Sequence, residues 1–160
     1  MVKTWERRLF YYIRRLGASE QDAWDILQET WLQVTRSLRT LSDPACLPVW
    51  LYRVARNTAV SHLRIASTRD ALTVPLDDQS ASETHEPEWD ISASAEDVHQ
   101  ALDQIGVVFR EVLTLHYLES FSVPEIADIL QIPEGTVKSR VFHAKRQMKA
   151  RLTEREAQHG

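Results

Sequence analysis

Apolar residues recur at three- and four-residue intervals along most of the chain, and nowhere do they alternate for long enough to mark a strand. The pattern predicts an all-α protein. In the first part of the chain it outlines helices over about Val2 to Leu16, Glu20 to Leu38 and Pro48 to Ile65, the last with its proline where a first turn tolerates one. In the second of these Ala23, Ile26, Leu27, Thr30, Val34 and Leu38 share one face, which leaves Asp22, Asp25, Gln28, Glu29 and Leu32 on the other. In the third, Leu51, Val54, Ala55, Thr58 and Ala59 lie opposite a stripe of Arg53, Arg56, Asn57 and Arg64. Ser19 followed by Asp22, and Ser94 followed by Asp97, have the spacing of capping pairs that open helices.

The periodicity lapses over roughly Ser67 to Ala95, where proline, serine, threonine and acids dominate and Leu72, Val74, Leu76, Trp89 and Ile91 are scattered. The expected organisation is therefore two small helical domains, 1–66 and 96–154, joined by a flexible acidic linker over 67–95. The second domain opens with an apolar helical region from Ala101 to Leu118, carrying Leu102, Ile105, Val108, Val112 and Leu115, which reads as scaffold. His116 belongs with that packing, since no nucleophile or carboxylate constellation accompanies it.

A helix-turn-helix follows, from about Ser122 to Leu152. Ser122 and Glu125 form a capping box, and Ile126, Ala127, Ile129 and Leu130 supply the buried side of the first helix. Gln131 to Gly135 read as a turn containing Pro133 and Gly135. The second helix then packs through Val137, Val141, Ala144, Met148 and Leu152. Its remaining surface carries Lys138, Ser139, Phe142, His143, Arg146 and Lys149, with Arg140 and Arg151 toward one flank and Lys145 toward the other.

Charge sharpens this picture. The net charge of −4 would argue against nucleic acid, but it averages over three unlike blocks. Pro44 to Arg69 holds four arginines and no acid, Asp70 to Asp97 holds nine acids and no lysine or arginine, and Glu134 to Arg151 holds six basic residues against one acid. Two basic modules flank an acidic connector. Guanidinium groups along a rigid helix can follow a phosphodiester backbone and release its counterions. A helix also fits the major groove, where Lys138, Ser139 and His143 have the chemistry to meet base edges and Phe142 could lie against a thymine methyl. Arg140, Arg146 and Lys149 suit phosphates. The single cysteine, Cys46, leaves no disulfide framework, the histidines lack zinc-site spacing, and no metal or cofactor is expected. No apolar run is long enough to cross a bilayer, so the expectation is a cytoplasmic protein without membrane insertion.

DAWDILQETW (Asp22 to Trp31), WLYRVARNTA (Trp50 to Ala59) and EIADILQIPEGTVKSR (Glu125 to Arg140) together resemble, in order, regions 2 and 4 of extracytoplasmic-function sigma factors in the sigma-70 family. The resemblance implies a non-enzymatic subunit that guides RNA polymerase core to a two-part promoter and aids its opening. It implies that Asp25, Gln28, Glu29 and Leu32 face the beta-prime clamp helices of RNA polymerase core, with the beta flap as the core's other contact. Asn57 would lie near a captured base of the −10 element, with Arg53, Arg56 and Arg64 on backbone. Thr136, Lys138, Ser139, Arg140, Phe142, His143, Arg146 and Lys149 would meet the −35 element as duplex. It further implies a linker threading the polymerase channel and an anti-sigma factor as a partner. The chain departs from the family pattern at Trp24, where an acid is usual, and in the loop from Thr40 to Leu47, which has Leu41, Ser42 and Asp43 in place of an aromatic, basic and glycine-rich character. A free-standing helix-turn-helix regulator is the alternative, but the first domain shows neither a parallel-sheet pattern nor a heptad seam. A nucleic-acid hydrolase would need carboxylates clustered for metal ions.

Overall fold

The computed structural model describes residues 2–66 and 93–159, and among them there are helices and turns but no strand. The linker expected over 67–95 lies outside the described residues as far as 92. Three helices form the first domain: α1 (Val2–Arg15), α2 (Glu20–Ser37) and α3 (Leu47–Ala66). Gly17, at φ +99°, turns the chain between α1 and α2 in a conformation that costs a side-chain-bearing residue about 1–2 kcal/mol. Ser19 caps α2 by accepting the Asp22 amide at 3.1 Å. The predicted apolar face of α2 is buried from Ala23 to Val34, but Leu38 is exposed. The α-helix ends at Ser37 and a 3-10 turn over Leu38–Thr40 rotates Leu38 off the packing line.

The second domain comprises α4 (Ala95–Gln104), α5 (Val107–Leu113), α6 (Val123–Leu130) and α7 (Glu134–His159). The single helical region expected from Ala101 to Leu118 is broken. Ile105 is extended, Gly106 caps α5, and Arg110 donates to the carbonyls of Leu102 and Ile105, satisfying acceptors that the end of α4 leaves over. After α5 the chain winds into a π turn, Thr114–Leu118, in which the Glu119 amide donates to the Thr114 carbonyl at 3.0 Å. The extra residue in the turn leaves Tyr117 and Leu118 exposed, buries Leu115 and places Glu119 on the side facing the first domain.

The capping box at α6 is complete. The Ser122 amide donates to Glu125 Oε1 at 3.0 Å, and the Glu125 amide donates to Ser122 Oγ at 3.3 Å. The turn that follows is tighter than the sequence suggests. Gln131 takes a left-handed conformation, φ 55° and ψ 48°, with its amide side chain donating to the Asp128 carbonyl at 2.7 Å. Pro133 then supplies the carbonyl that starts α7, so Gly135 lies inside the helix with open space around its α-carbon. Val137, Val141, Ala144, Met148 and Leu152 are all buried, as their spacing predicts. Near the end of α7, Arg155 donates to Gln100 and to Asp97 of α4, tying the long helix to the start of the domain.

The two domains pack on each other, α3 against α6 and α1 against α5, and one apolar cluster runs through both. Tyr12, Tyr52 and Phe121 form its bridge, with ring centres 5.1 and 5.0 Å apart in succession. Nothing in the periodicity of the chain predicts this closure.

Candidate nucleic-acid interface

The outward face of α7 is cationic. Lys138, His143, Arg146 and Lys149 are exposed, while Thr136, Ser139 and Phe142 are half-buried beside them. Phe142 is not a bare apolar side chain: His143 meets its ring edge-on at 5.4 Å, and the Arg146 guanidinium lies 5.9 Å from its centre. Both neighbours contact the ring, which stays half-buried on the cationic face. Two of the expected cations are elsewhere. Lys145 is only 6% exposed, its ammonium 5.3 Å from the centre of the Tyr117 ring, so it belongs to the packing between α7 and the π turn. Arg140 is half-buried and turned toward the first domain. Burial, together with the like charge of Arg56, lowers its pKa against the opposing pull of Glu111.

On α3 two residues of the expected stripe, Arg53 and Arg56, are engaged. Arg53 Nη1 donates to Asp128 Oδ1 of α6 at 2.8 Å, and Arg56 Nε donates to Glu111 Oε1 of α5 at 2.7 Å. Asn57 is exposed, and the side chain of Arg64 lies outside the described residues. Glu111, only 1% exposed, also accepts the Tyr12 hydroxyl at 2.7 Å. Eight residues further on, Glu119 Oε2 accepts the Tyr52 hydroxyl at 2.6 Å and Arg8 Nε at 2.9 Å. Burial opposes the charges of Arg56 and Arg8, but their carboxylate partners outweigh it and both guanidiniums titrate above their ordinary range. Burial also pushes the Tyr12 and Tyr52 phenols upward, and the adjacent carboxylates add to that, so both hydroxyls are firm donors. Arg110 completes the seam, donating to the Arg15 carbonyl at 3.1 Å.

The third expected surface is on α2. Asp25, Gln28, Glu29 and Leu32 are all exposed on one side of the helix, with Leu32 57% accessible. Trp24, also exposed, stacks on Phe10 of α1 with ring centres 4.5 Å apart. An acidic face with a large apolar residue at its end suits a basic helical partner carrying its own apolar contact. Glu111, Glu119, Tyr12 and Tyr52 were not legible as interface residues, because in one dimension they fit the ordinary patterns of their helices. Only the doubled coincidence of Arg8 with Tyr12 and of Tyr52 with Arg56, each four residues apart, marks them.

Among the described residues no cluster of histidine, cysteine and acidic side chains could hold a metal ion, and no helix is long and apolar enough to cross a membrane. Two family models match, sigma-70 region 2 over residues 1–69 and sigma-70 region 4 over residues 95–148. The chain is 31% identical to the RNA polymerase sigma-H factor of Pseudomonas aeruginosa, a match covering 91% of this chain and 80% of that one. It is 32% identical to the ECF RNA polymerase sigma factor SigL of Mycobacterium tuberculosis, covering 91% of this chain and 83% of the relative. In fold it is similar to the sigma factor RpoE solved with the anti-sigma factor NepR from Bartonella quintana, with a TM-score of 0.71, 22% identity, and coverage of 95% and 94% of the two chains. With regions 2 and 4 in order, and relatives of this identity matched over most of their length, the chain belongs to the extracytoplasmic-function sigma factors of the sigma-70 family.

Proposed function

We propose a division of labour among the three surfaces for a sigma factor that directs RNA polymerase core to specific promoters and aids initiation. The observation that carries it is the α6–α7 unit, whose capped first helix and sharp left-handed turn hold a second helix with its apolar side buried and its cations outward. In this reading Lys138, Ser139 and His143, with Thr136 at the helix start, approach base edges of the −35 duplex. Phe142 meets a thymine methyl, and Arg146 and Lys149 hold phosphate. Asn57 faces a base of the −10 element, with Arg53, Arg56 and Arg64 on backbone. Asp25, Gln28, Glu29 and Leu32 dock on the polymerase clamp, Trp24 extends that face, and the second domain reaches the flap.

The chain itself carries out no covalent chemistry in this scheme, and it acts in the cytoplasm, where the polymerase and the chromosome are. The solved relatives RpoE and CnrH were captured with the anti-sigma factor NepR and the cytosolic domain of CnrY. A comparable inhibitor of this chain would cover the clamp-facing and DNA-facing surfaces. The test is reconstitution: purified protein with core polymerase, and initiation measured over a library of upstream sequences. Promoter-dependent initiation is expected, and failure to bind core would overturn the assignment. A regulator acting without polymerase would instead bind duplex sites unaided and leave initiation by core unchanged.

A further inference from the structure

The seam between the domains is built from one motif used twice. Arg8 and Tyr12 of α1 are four residues apart, as are Tyr52 and Arg56 of α3, so each helix presents a guanidinium and a phenol on one face. The pairs cross. Tyr12 and Arg56 converge on Glu111, while Arg8 and Tyr52 converge on Glu119, so each carboxylate accepts one hydroxyl and one guanidinium. All four donors come from the first domain and both acceptors from the second. A third carboxylate, Asp128, holds Arg53 beside them.

We propose that Tyr12 with Arg56 and Tyr52 with Arg8 form two oxyanion seats for the phosphates of promoter DNA, which Glu111 and Glu119 occupy when the chain is closed on itself. The donor chemistry does not distinguish the two occupants. A phosphodiester, like a carboxylate, offers paired acceptor oxygens bearing a negative charge, to which a guanidinium and a hydroxyl give charge-assisted bonds. The seats lie on the same side of α3 as Arg53, which the proposed function assigns to DNA backbone, and the inference rests on that assignment. DNA can take the seats only when the domains part, so the second domain competes with the promoter for the first. The seam is suited to exchange rather than to permanent closure. When the domains part, the guanidiniums and the carboxylates are both returned to water, so neither is left buried and unpaired, and a phosphate can compete with the carboxylates for the seats on similar terms. A chain that is open about one-tenth of the time binds about tenfold more weakly than the same chain held open.

The test uses the full chain with two reporters. One dye is placed on the native exposed Cys46 and another on Gln158→Cys, so that energy transfer reads the separation of the domains, while a fluorescent promoter fork with a single-stranded −10 segment reads affinity. The pair Glu111→Gln with Glu119→Gln should lower transfer and raise fork affinity by about tenfold or more. Adding Tyr52→Phe with Arg56→Gln to that background should return affinity to the starting value or below while the domains stay apart. Saturating fork DNA should lower transfer in the unmodified chain. Should the buried pair fail to fold by circular dichroism, Asp128→Lys, at a half-exposed position facing Arg53, opens the seam without touching Glu111 or Glu119 and should raise affinity likewise.

Low transfer in the unmodified chain before DNA is added would overturn self-closure. Separated domains with unchanged fork affinity would overturn the shared seats. Either result would leave promoter-directed initiation by the unmodified chain with core polymerase intact, whereas failure of the sigma assignment itself would abolish it in every variant.

Discussion

The salt dependence of duplex binding gives a direct measure of which cations on α7 meet phosphate. The exposed face offers Arg146 and Lys149 for backbone, with Lys138 nearer the helix start and Arg140 turned away toward Glu111 and Arg56. Each phosphate contact on B-DNA contributes about −0.9 to the slope of log affinity against log salt. Two contacts predict a slope near −1.8, so raising salt from about 50 to about 200 mM weakens binding roughly 12-fold, and one contact fewer reduces this to about 3.5-fold. The assay is anisotropy titration of a labelled upstream duplex with the full chain at four or more salt concentrations. Lys149→Ala and Arg146→Ala should each flatten the slope by about 0.9 and weaken every sequence alike, while Arg140→Ala leaves the slope unchanged. Lys138→Ala should alter which bases are preferred, with about 1–3 kcal/mol lost at the contacted pair. If Arg140→Ala flattened the slope as much as Lys149→Ala, the inward placement of Arg140 would not describe the chain that binds DNA. Equal losses on all sequences for Lys138→Ala and Lys149→Ala would refute the separation of base readers from phosphate holders.

Ser122→Ala removes one half of the capping box and should lower stability by about 1 kcal/mol in urea denaturation, with Glu125→Ala losing the reciprocal half; no change would show that the cap is satisfied by water. Leu32→Glu, at an exposed position, should leave the thermal transition in place while reducing core polymerase affinity by about tenfold in a competition assay, equivalent to about 1.4 kcal/mol. Tyr12 and Tyr52 titrate higher in the folded chain than in the unfolded one, so the stability they contribute is complete below about pH 10 and falls as pH rises above it. Tyr12→Phe and Tyr52→Phe should each flatten that alkaline limb, by up to about 1.4 kcal/mol per pH unit, when unfolding free energy is followed from pH 9 to 11.

What the sequence determined by itself is local. The helices of the first domain, the caps at Ser19, Ser94 and Ser122, and the buried line from Val137 to Leu152 depend on residues three or four apart, and the pattern of side chains carries them directly. The family motifs lie on those same elements, which is why three short segments placed α2, α3 and the helix-turn-helix in order. The features it misplaced turn on backbone choices that periodicity does not encode. The helical region from Ala101 to Leu118 divides at Ile105 and Gly106, the π turn sets Glu119 toward α1, and within the turn that begins at Gln131 it is Gln131 that takes the left-handed conformation while Gly135 falls inside α7.

Only the tertiary structure decided how the two basic modules stand to each other. The contacts that close them join residues 99 and 67 positions apart, Tyr12 with Glu111 and Tyr52 with Glu119, and no periodic signal reaches across such distances. A glutamate in an apolar helix and two tyrosines in amphipathic helices look ordinary in one dimension. They acquire their role because burial excludes water, so each buried polar group must find its partner across the seam, and that seam also engages Arg53 and Arg56 of the α3 stripe.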